Sequence, residues 1–252
     1  MTSRTARFGA ATAFAAGLMS FAALASAAPA AHAAPAESGR GLSLVLSLAV
    51  VSLVPFLFLS LTAFVKISTV LQITKSAIGS QSVPSSTVVL ALSGALTLLA
   101  MGPTAETILA RAAPVLAEKG DSPDVVVKVV EASKEPLRAF LKANTSDKEL
   151  ARFVEVARAS RPEATRAEVK PDDFPVLAPA FVVTELTEAF AIGFLIFLPF
   201  LVIDLVVANV LASLSLQTMS VSQVSLPLKL LLFVSVDGWG LLAQALVLGY
   251  RH

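Results

Sequence analysis

The sequence predicts an all-α, membrane-associated protein made of apolar helical hairpins with a charged helical region inserted between them. Of its 252 residues, 56% are hydrophobic, and the mean hydropathy of +0.79 is too high for an ordinary soluble domain. Ionisable residues are also segregated: residues 41–65 and 76–105 contain none, whereas residues 104–173 contain 12 basic and 13 acidic side chains. The chain is therefore apolar, then polar, then apolar again.

The composition excludes several classes of function. The net charge of +1 lacks the basic excess that phosphate binding requires, so nucleic acid is not an expected partner. The chain has no cysteine, which excludes disulfides and thiolate metal sites. Its two histidines, His32 and His252, lie near opposite ends of the chain. We therefore expect no metal site, no cofactor and no enzymatic centre.

Residues 1–33 have the organisation of a secretory signal peptide. Two arginines precede an apolar, alanine-rich stretch at residues 8–24, and small-x-small cleavage sites follow at residues 25–27 and 31–33. The chain becomes polar after the second site, which favours cleavage there. An uncleaved N-terminal anchor is the alternative.

Residues 34–103 are predicted to form an apolar helical hairpin. Its first segment, residues 42–65, is long enough to span a bilayer, and Pro55 is expected to kink it. Serines in the turn at residues 79–86 can cap the second helix. Residues 101–103, Met-Gly-Pro, are expected to end that helix.

Residues 104–178 are predicted to form a charged helical region outside the membrane. The β-branched run at residues 125–133 leaves helix and strand open, and Pro136 suits the first turn of a helix. Residues 147–158 place their apolar side chains on one helix face. Asn144-Thr145-Ser146 matches the glycosylation sequon, and a helix cap accounts better for the same residues.

Residues 179–252 are predicted to form a second apolar hairpin. Its first helix covers about residues 181–216, with Pro199 as a candidate break, and its second covers about residues 226–250. The linker between them is polar and rich in serine.

Ionisable groups in such apolar segments are costly and mark function or a specific partner. Glu185 and Glu188 are three residues apart and share a helix face, where capping or pairing with a basic side chain is favoured over catalysis. Asp204 must be paired, hydrated or protonated. Lys229 is predicted to pair with Asp204 or with a partner subunit. We assign a structural or assembly role to six charges: Lys66, Glu185, Glu188, Asp204, Lys229 and Asp237.

Two long motifs carry a family resemblance. Residues 227–239, PLKLLLFVSVDGW, resemble the C-terminal signature of the export-gate proteins of bacterial type III secretion, the flagellar FliP and injectisome SctR proteins. Residues 179–194 resemble a second signature, except that Ala191 stands where the family usually has a polar or charged residue. The signature positions are Pro179, Phe181, Glu185, Phe190, Gly193, Pro227, Lys229, Asp237, Gly238 and Trp239.

The resemblance implies a non-enzymatic channel subunit. Several copies of the chain would join small homologous subunits, FliQ- and FliR-like or SctS- and SctT-like, in a helical export-gate ring, with a larger export-apparatus membrane subunit as a further partner. Unfolded substrate proteins would cross the bacterial inner membrane through its centre. The assembly would lie largely on the periplasmic side, so sister subunits as well as lipid would cover the apolar surface.

The resemblance also places a pore constriction before the C-terminal signature, at Leu216, Gln217, Thr218 and Met219. In the family this loop is often rich in methionine, which can seal around varied peptides, whereas this chain keeps one methionine there. A cleaved signal peptide suggests the flagellar branch, and Gln217 resembles the injectisome branch, which we favour.

A small-solute or ion transporter subunit is the alternative function. Asp204 would then be its coupling carboxylate, in a coupling site that includes the Glu185/Glu188 pair. The absence of an inverted repeat in the sequence and the presence of both signatures favour the export gate.

Overall fold

The computed structural model describes residues 52–53, 55–80, 84–117, 124–216 and 218–251, and within them every regular element is helical, as predicted. The predicted signal peptide, residues 42–51 and 54 of the first apolar segment, both histidines and Gln217 lie outside the described residues. From residue 64 onward the helices are α1 (Phe64–Ile78), α2 (Ser86–Ala100), α3 (Gly102–Ala117), α4 (Asp124–Ala143), α5 (Asp147–Ala159), α6 (Phe174–Ser213), α7 (Val221–Ser235) and α8 (Gly238–Leu248), with a short 3-10 helix, Glu163–Glu168, before α6.

Helices α1 and α2 form the predicted packed pair, and both facing ends are capped. α1 ends at Gly79, whose φ of +83° is a left-handed conformation that glycine adopts without steric cost. Ser85 caps α2, because its Oγ accepts a hydrogen bond from the amide of Val88 at 3.3 Å. Before α1, the described residues turn out of helix at residues 61–63, so residues 55–60 and α1 are separate.

The helix stop predicted at residues 101–103 is confirmed, although a new helix begins almost at once. α2 ends at Ala100, and α3 begins at Gly102 after a bend of 61°. The second apolar segment is therefore followed directly by another helix.

The charged region is helical, and the predicted helix start at Pro136 is wrong. α4 begins at Asp124 and includes both the β-branched run and Pro136 in its interior. The predicted apolar face of α5 is confirmed, because Val154 is buried with Leu150 and Phe153 packed around it. Ser146 caps α5 by accepting a hydrogen bond from the Glu149 amide.

Helix α6 is continuous for 40 residues, so the candidate break at Pro199 does not occur. Neighbouring helices pack against α6 beside Pro199. Phe200 is 3% exposed and packs with Ala77 and Ile78 of α1 and Phe233 of α7. At 1.5 Å per residue, α6 is about 60 Å long, roughly twice the ~30 Å hydrocarbon core of a bilayer. The helix is therefore longer than an upright crossing of the hydrocarbon core requires.

Among the described residues, α6 is the helix that is long and apolar enough to cross a membrane by itself. The bent pairs α2–α3 and α7–α8 each satisfy the same length and composition if the pair counts as one span. The described residues therefore contain between one and three candidate membrane spans.

The predicted single helix at residues 226–250 is wrong, because the chain bends by 57° between α7 and α8. Asp237 lies at the bend with φ +51°, a left-handed conformation that aspartate tolerates better than most residues. Gly238 follows it against the Phe233 ring, where a Cβ would overlap the ring. An Asp-Gly pair thus supplies both the backbone conformation and the space that the bend needs.

The main hydrophobic core joins α1, α4 and α6. Its largest fully buried side chains come from these three helices: Ile67, Leu71, Phe140, Leu141, Leu177 and Phe181. Leu246 of α8 and Tyr250 extend this core toward the C-terminal end of the described chain. The charged helical region and the apolar helices therefore share one core.

Candidate functional site

Lys66 on α1 joins two predicted carboxylates on α6. Its Nζ lies 2.9 Å from Glu185 Oε1 and 2.7 Å from Glu188 Oε2. The Lys66 side chain is 8% exposed and the Glu185 side chain is fully buried, whereas Glu188 is 52% exposed. Because a buried charge is costly without a partner, this pairing ties α1 to α6 at a fixed register.

Tyr250 completes this group, which we call the Lys66 cluster (Lys66, Glu185, Glu188 and Tyr250). Its hydroxyl donates to Glu185 Oε2 and lies 3.1 Å from the carbonyl oxygen of Ala63, and Lys66 Nζ lies 4.5 Å from the ring centroid. Burial raises the pKa of the Tyr250 hydroxyl above its usual range, and the Glu185 carboxylate raises it further. The hydroxyl therefore stays a donor at physiological pH.

Sequence reasoning did not identify Tyr250 as a site residue. It is the only tyrosine in the chain, and it follows an apolar helix, which is also what an interfacial anchor looks like. Its partners are 65 and 187 residues away in the sequence. No local pattern reports contacts over such distances.

The second charge pair joins α6, α7 and the end of α1. The sequence predicted that Lys229 pairs either with Asp204 or with a partner subunit. In the structure it pairs with Asp204, and Lys229 Nζ lies 2.6 Å from Asp204 Oδ2. Lys229 Nζ also donates to the carbonyl oxygen of Ala77 at 3.3 Å. The last carbonyls of a helix lack intrahelical partners and carry partial negative charge, so a lysine here stabilises the end of α1.

Asp237, the sixth predicted charge, lies at the bend before α8, and the described residues do not bring it to either ion-paired group. A Cβ on Gly240 would overlap the Asp237 carboxylate, so glycine leaves room for this side chain. Trp239 packs edge-on against Phe233 with ring centroids 5.1 Å apart. The residues of the C-terminal signature thus build the α7–α8 bend.

The signature on α6 includes both buried and exposed positions. Phe181 is fully buried in the core, whereas Phe190 is 62% exposed. Gly193 faces α1, where an added Cβ would lie 2.6 Å from Ile73 Cδ1. Glycine at this position therefore permits the close approach of α1 and α6.

The predicted constriction, which we call the pore loop (residues 216–219), follows α6. Ser215 has φ +58°, and the Leu216 amide donates to the carbonyl oxygen of Leu211 at 2.9 Å, which closes the end of the helix. The Leu216 and Met219 side chains are 41% and 46% exposed, and Gln217 lies outside the described residues. Apolar side chains are thus presented by a short loop, and their constricting role stays a prediction.

A broad exposed apolar face adjoins the pore loop. We define it by twelve residues on α6 and α7: Phe190, Phe194, Leu195, Leu198, Leu201, Val202, Leu205, Val206, Val210, Leu228, Leu231 and Val234. Each of these side chains is at least 38% exposed. Exposed apolar side chains in this number indicate an interface with protein or lipid.

The described residues contain no group of three or more His, Cys, Asp or Glu side chains placed to hold a metal ion. Both ion-paired groups have their carboxylates matched to lysines. Their arrangement serves to join helices.

Comparison with known proteins gives a consistent result. Residues 46–246 match the FliP family. The chain is 40% identical to the hypersensitivity response secretion protein HrcR of Ralstonia nicotianae over 83% of this chain and 97% of the relative. It is 39% identical to the flagellar biosynthetic protein FliP of Caulobacter vibrioides over 84% of this chain and 77% of the relative. It is 36% identical to the virulence protein YscR of Salmonella typhimurium over 82% of this chain and 95% of the relative.

Proposed function

Because the chain belongs to the FliP family, we propose that it is a subunit of a type III protein-secretion export gate and forms part of the channel through which unfolded proteins cross the bacterial inner membrane. The family match over residues 46–246 is the observation that carries this proposal. The relatives bear the names of secretion, virulence and flagellar biosynthesis proteins. The chain acts in this role as a channel component, without catalysis.

The proposed partners are copies of the chain itself, the small FliQ- or SctS-like and FliR- or SctT-like subunits, and the larger membrane subunit of the export apparatus. The exposed apolar face and the length of α6 support this proposal. A helix of about 60 Å that crosses upright extends well beyond a hydrocarbon core of ~30 Å. Sister subunits bury the remainder, and the assembly lies largely on the periplasmic side of the inner membrane.

Four residues of the pore loop form the proposed constriction: Leu216, Gln217, Thr218 and Met219. Two features support this assignment. The loop connects the two helices that carry the exposed apolar face, and its Leu216 and Met219 side chains are exposed in the single subunit. Flexible apolar side chains can close around a peptide of any sequence and then separate.

The paired charges have a proposed structural role in this assembly. Lys66, Glu185 and Glu188 hold α1 on α6, and Lys229 and Asp204 hold α7 on α6. These pairs keep the helices in register while the apolar face contacts other subunits. The same proposal includes three further predictions. The chain divides into regions at residues 33, 103 and 178, its signal peptide is cleaved, and it belongs to the injectisome branch.

The structure disfavours the transporter alternative, because its coupling carboxylates are paired with lysines. Asp204 was to be its coupling carboxylate, and that carboxylate is ion-paired with Lys229 at 2.6 Å. A coupling group must bind and release an ion during transport, which the lysine opposes.

Affinity purification tests the proposal. A tagged copy of the chain, extracted in mild detergent, should bring down the small homologous gate subunits, and deletion of its gene should abolish secretion through the apparatus. A matched tag on an unrelated inner-membrane protein is the control. Recovery of the chain alone, together with solute transport by the lone protein in liposomes, would contradict the proposal.

A further inference from the structure

The Tyr250 side chain lies against both members of the buried Lys66–Glu185 pair. Lys66 Nζ is 4.5 Å from the centroid of the Tyr250 ring, and the Tyr250 hydroxyl donates to Glu185 Oε2. Tyr250 is 6% exposed, and the Lys66 and Glu185 side chains are 8% and 0% exposed. Charged groups attract water, so a dry ion pair needs side chains packed over it. The Tyr250 side chain therefore forms part of the cover over this pair.

Tyr250 lies outside the regular helices, although its position is critical for this cover. α8 ends at Leu248, and the Gly249 amide makes the last hydrogen bond back into it. Tyr250 and Arg251 follow without helical structure. The Tyr250 ring stacks on Phe140 of α4, with centroids 5.8 Å apart. Beyond the end of a helix, contacts with other elements must fix the main chain.

Asn144, at the junction of α4 and α5, supplies such a contact. Its Nδ2 donates to the carbonyl oxygen of Arg251 at 2.9 Å, and its Oδ1 accepts from the Arg251 amide at 3.0 Å. The same Nδ2 donates to the Phe140 carbonyl oxygen at 2.9 Å, in the last turn of α4. Both donor hydrogens and the acceptor oxygen of the amide are engaged, which fixes its orientation. One side chain thus holds the main chain of the residue that follows Tyr250.

The junction that carries Asn144 is itself fixed to α6. The Ser146 amide donates to Thr184 Oγ1 at 3.2 Å, and Thr184 precedes Glu185 in the chain. Asn144 and Glu185 therefore stand on parts of the protein that are bound to each other. The main chain at Arg251 is bound to this assembly through Asn144.

We propose that Asn144 is a positioning residue that keeps Tyr250 closed over the buried Lys66–Glu185 pair. Its hydrogen bonds go to main-chain groups, so its effect on the pair passes through the Arg251 main chain and the Tyr250 side chain. Without the amide, residues 250–251 leave the core more often and water reaches the pair. The charged helical region thereby controls the hydration of charges between the apolar helices. This inference concerns the chain by itself and does not require that the chain forms a channel.

The reactivity of Lys66 toward an acetylating N-hydroxysuccinimide ester tests the inference. The full-length chain is purified in mild detergent and treated with the ester, and mass spectrometry of its peptides measures the acetylation rate of each lysine. A buried lysine reacts when its surroundings open locally, so its rate reports the open population. Asn144→Ala removes two hydrogen bonds to Arg251, and we expect Lys66 to react roughly tenfold faster than in wild type.

Lys229 is an internal control in the same sample. Its side chain is 7% exposed and is paired with Asp204, and its Nζ contacts the Ala77 carbonyl. Ala77 lies about 16 Å along α1 from Lys66. We expect Asn144→Ala to leave the Lys229 rate at its wild-type value. An unchanged Lys66 rate would overturn the inference, and so would an equal rise at both lysines, because the variant would then loosen the whole protein.

Asp172→Asn is a matched control variant at another contact of α4. It breaks the ion pair between Lys142 and Asp172, whose side chains are 57% and 51% exposed. Exposed pairs contribute little to stability, so Lys66 should keep its wild-type rate. If Asp172→Asn accelerates Lys66 as much as Asn144→Ala does, any disturbance of α4 suffices and the specific role of Asn144 is refuted.

Tyr250→Ala tests the order of action. It removes the cover itself, so Lys66 should react at least as fast as in Asn144→Ala. Adding Asn144→Ala should cause no further increase, because both changes act through the same side chain. Tyr250→Leu, which keeps an apolar side chain but lacks the ring and the hydroxyl, is used with the same expectation if Tyr250→Ala does not fold. Effects that multiply in the double variant would show that Asn144 acts independently of Tyr250, contrary to the inference.

Discussion

Lys229 on α7 pairs with Asp204 on α6, with 2.6 Å between Nζ and Oδ2, and the same Nζ donates to the carbonyl oxygen of Ala77 at the end of α1. One lysine therefore joins three helices. Its side chain is 7% exposed, whereas that of Asp204 is 33% exposed. Loss of the aspartate thus leaves a nearly buried cation with only a carbonyl partner.

Reversing both charges tests this pair. We expect Asp204→Lys and Lys229→Asp each to reduce recovery of the gate complex, because each leaves like charges facing one another. The double variant Asp204→Lys/Lys229→Asp should recover more complex than either single variant. It should not reach wild type, because an aspartate at position 229 faces the Ala77 carbonyl. Recovery is measured by co-purification, and a double variant no better than the singles would contradict the pairing.

The Lys66 cluster predicts unequal effects of two substitutions. Lys66→Met leaves Glu185 buried without its cation, which costs about 3–5 kcal/mol for a broken buried pair. Glu188→Gln removes a half-exposed partner of the same lysine and should cost less than about 1 kcal/mol. Thermal unfolding of the purified complex measures both. Equal losses would show that burial of Glu185 does not govern the cluster.

Gly193 predicts a steric effect with a matched control. Gly193→Ala places a Cβ against Ile73 and should separate α1 from α6, whereas Gly94→Ala has open space within 4 Å. We expect the first to lower the melting temperature and the second to leave it unchanged or raise it, since alanine favours helix by about 1 kcal/mol. Ile73→Ala should partly restore Gly193→Ala by making room. Failure of this rescue would assign the defect to another cause.

The pore loop predicts a leak without loss of assembly. Replacing Leu216, Gln217, Thr218 and Met219 with glycine or alanine removes the side chains proposed to close the channel. Ion flux through liposomes should rise while the complex still co-purifies. An assembled variant with wild-type flux would move the constriction elsewhere.

The local patterns predicted the helical architecture and many of its ends. Ser85 caps α2, Ser146 caps α5, and the apolar stripe of α5 is buried as its spacing indicated. Caps and stripes depend on residues within one turn of each other, so a sequence reports them well.

Two of the proline predictions were wrong for a shared physical reason. Pro136 and Pro199 lie inside continuous helices, although proline removes one helical hydrogen bond. Tertiary packing compensates this local cost, as Phe200 beside Pro199 shows by its burial against α1 and α7. Helix propensity predicts helix ends poorly where tertiary packing is extensive.

At Asp237 the sequence predicted a continuous helix, whereas the structure breaks the helix inside an apolar run. Asp-Gly is a turn signal, and here it separates two helices although hydrophobic residues lie on both sides. The hydrogen bonds between Asn144 and Arg251 could not be predicted from the sequence, because the two residues are 107 positions apart. The charges were identifiable because ionisable residues are rare in apolar segments, whereas the amide and tyrosine that support them are not unusual in type.

The mass and shape of the purified particle test the central claim most directly, namely that the exposed apolar face is covered by sister subunits around a channel. The complex is extracted in mild detergent, its mass is measured, and single particles are imaged. We expect a ring-shaped assembly that contains several copies of this chain together with the small homologous subunits. A folded, monodisperse monomer under conditions that preserve other membrane complexes would contradict the account.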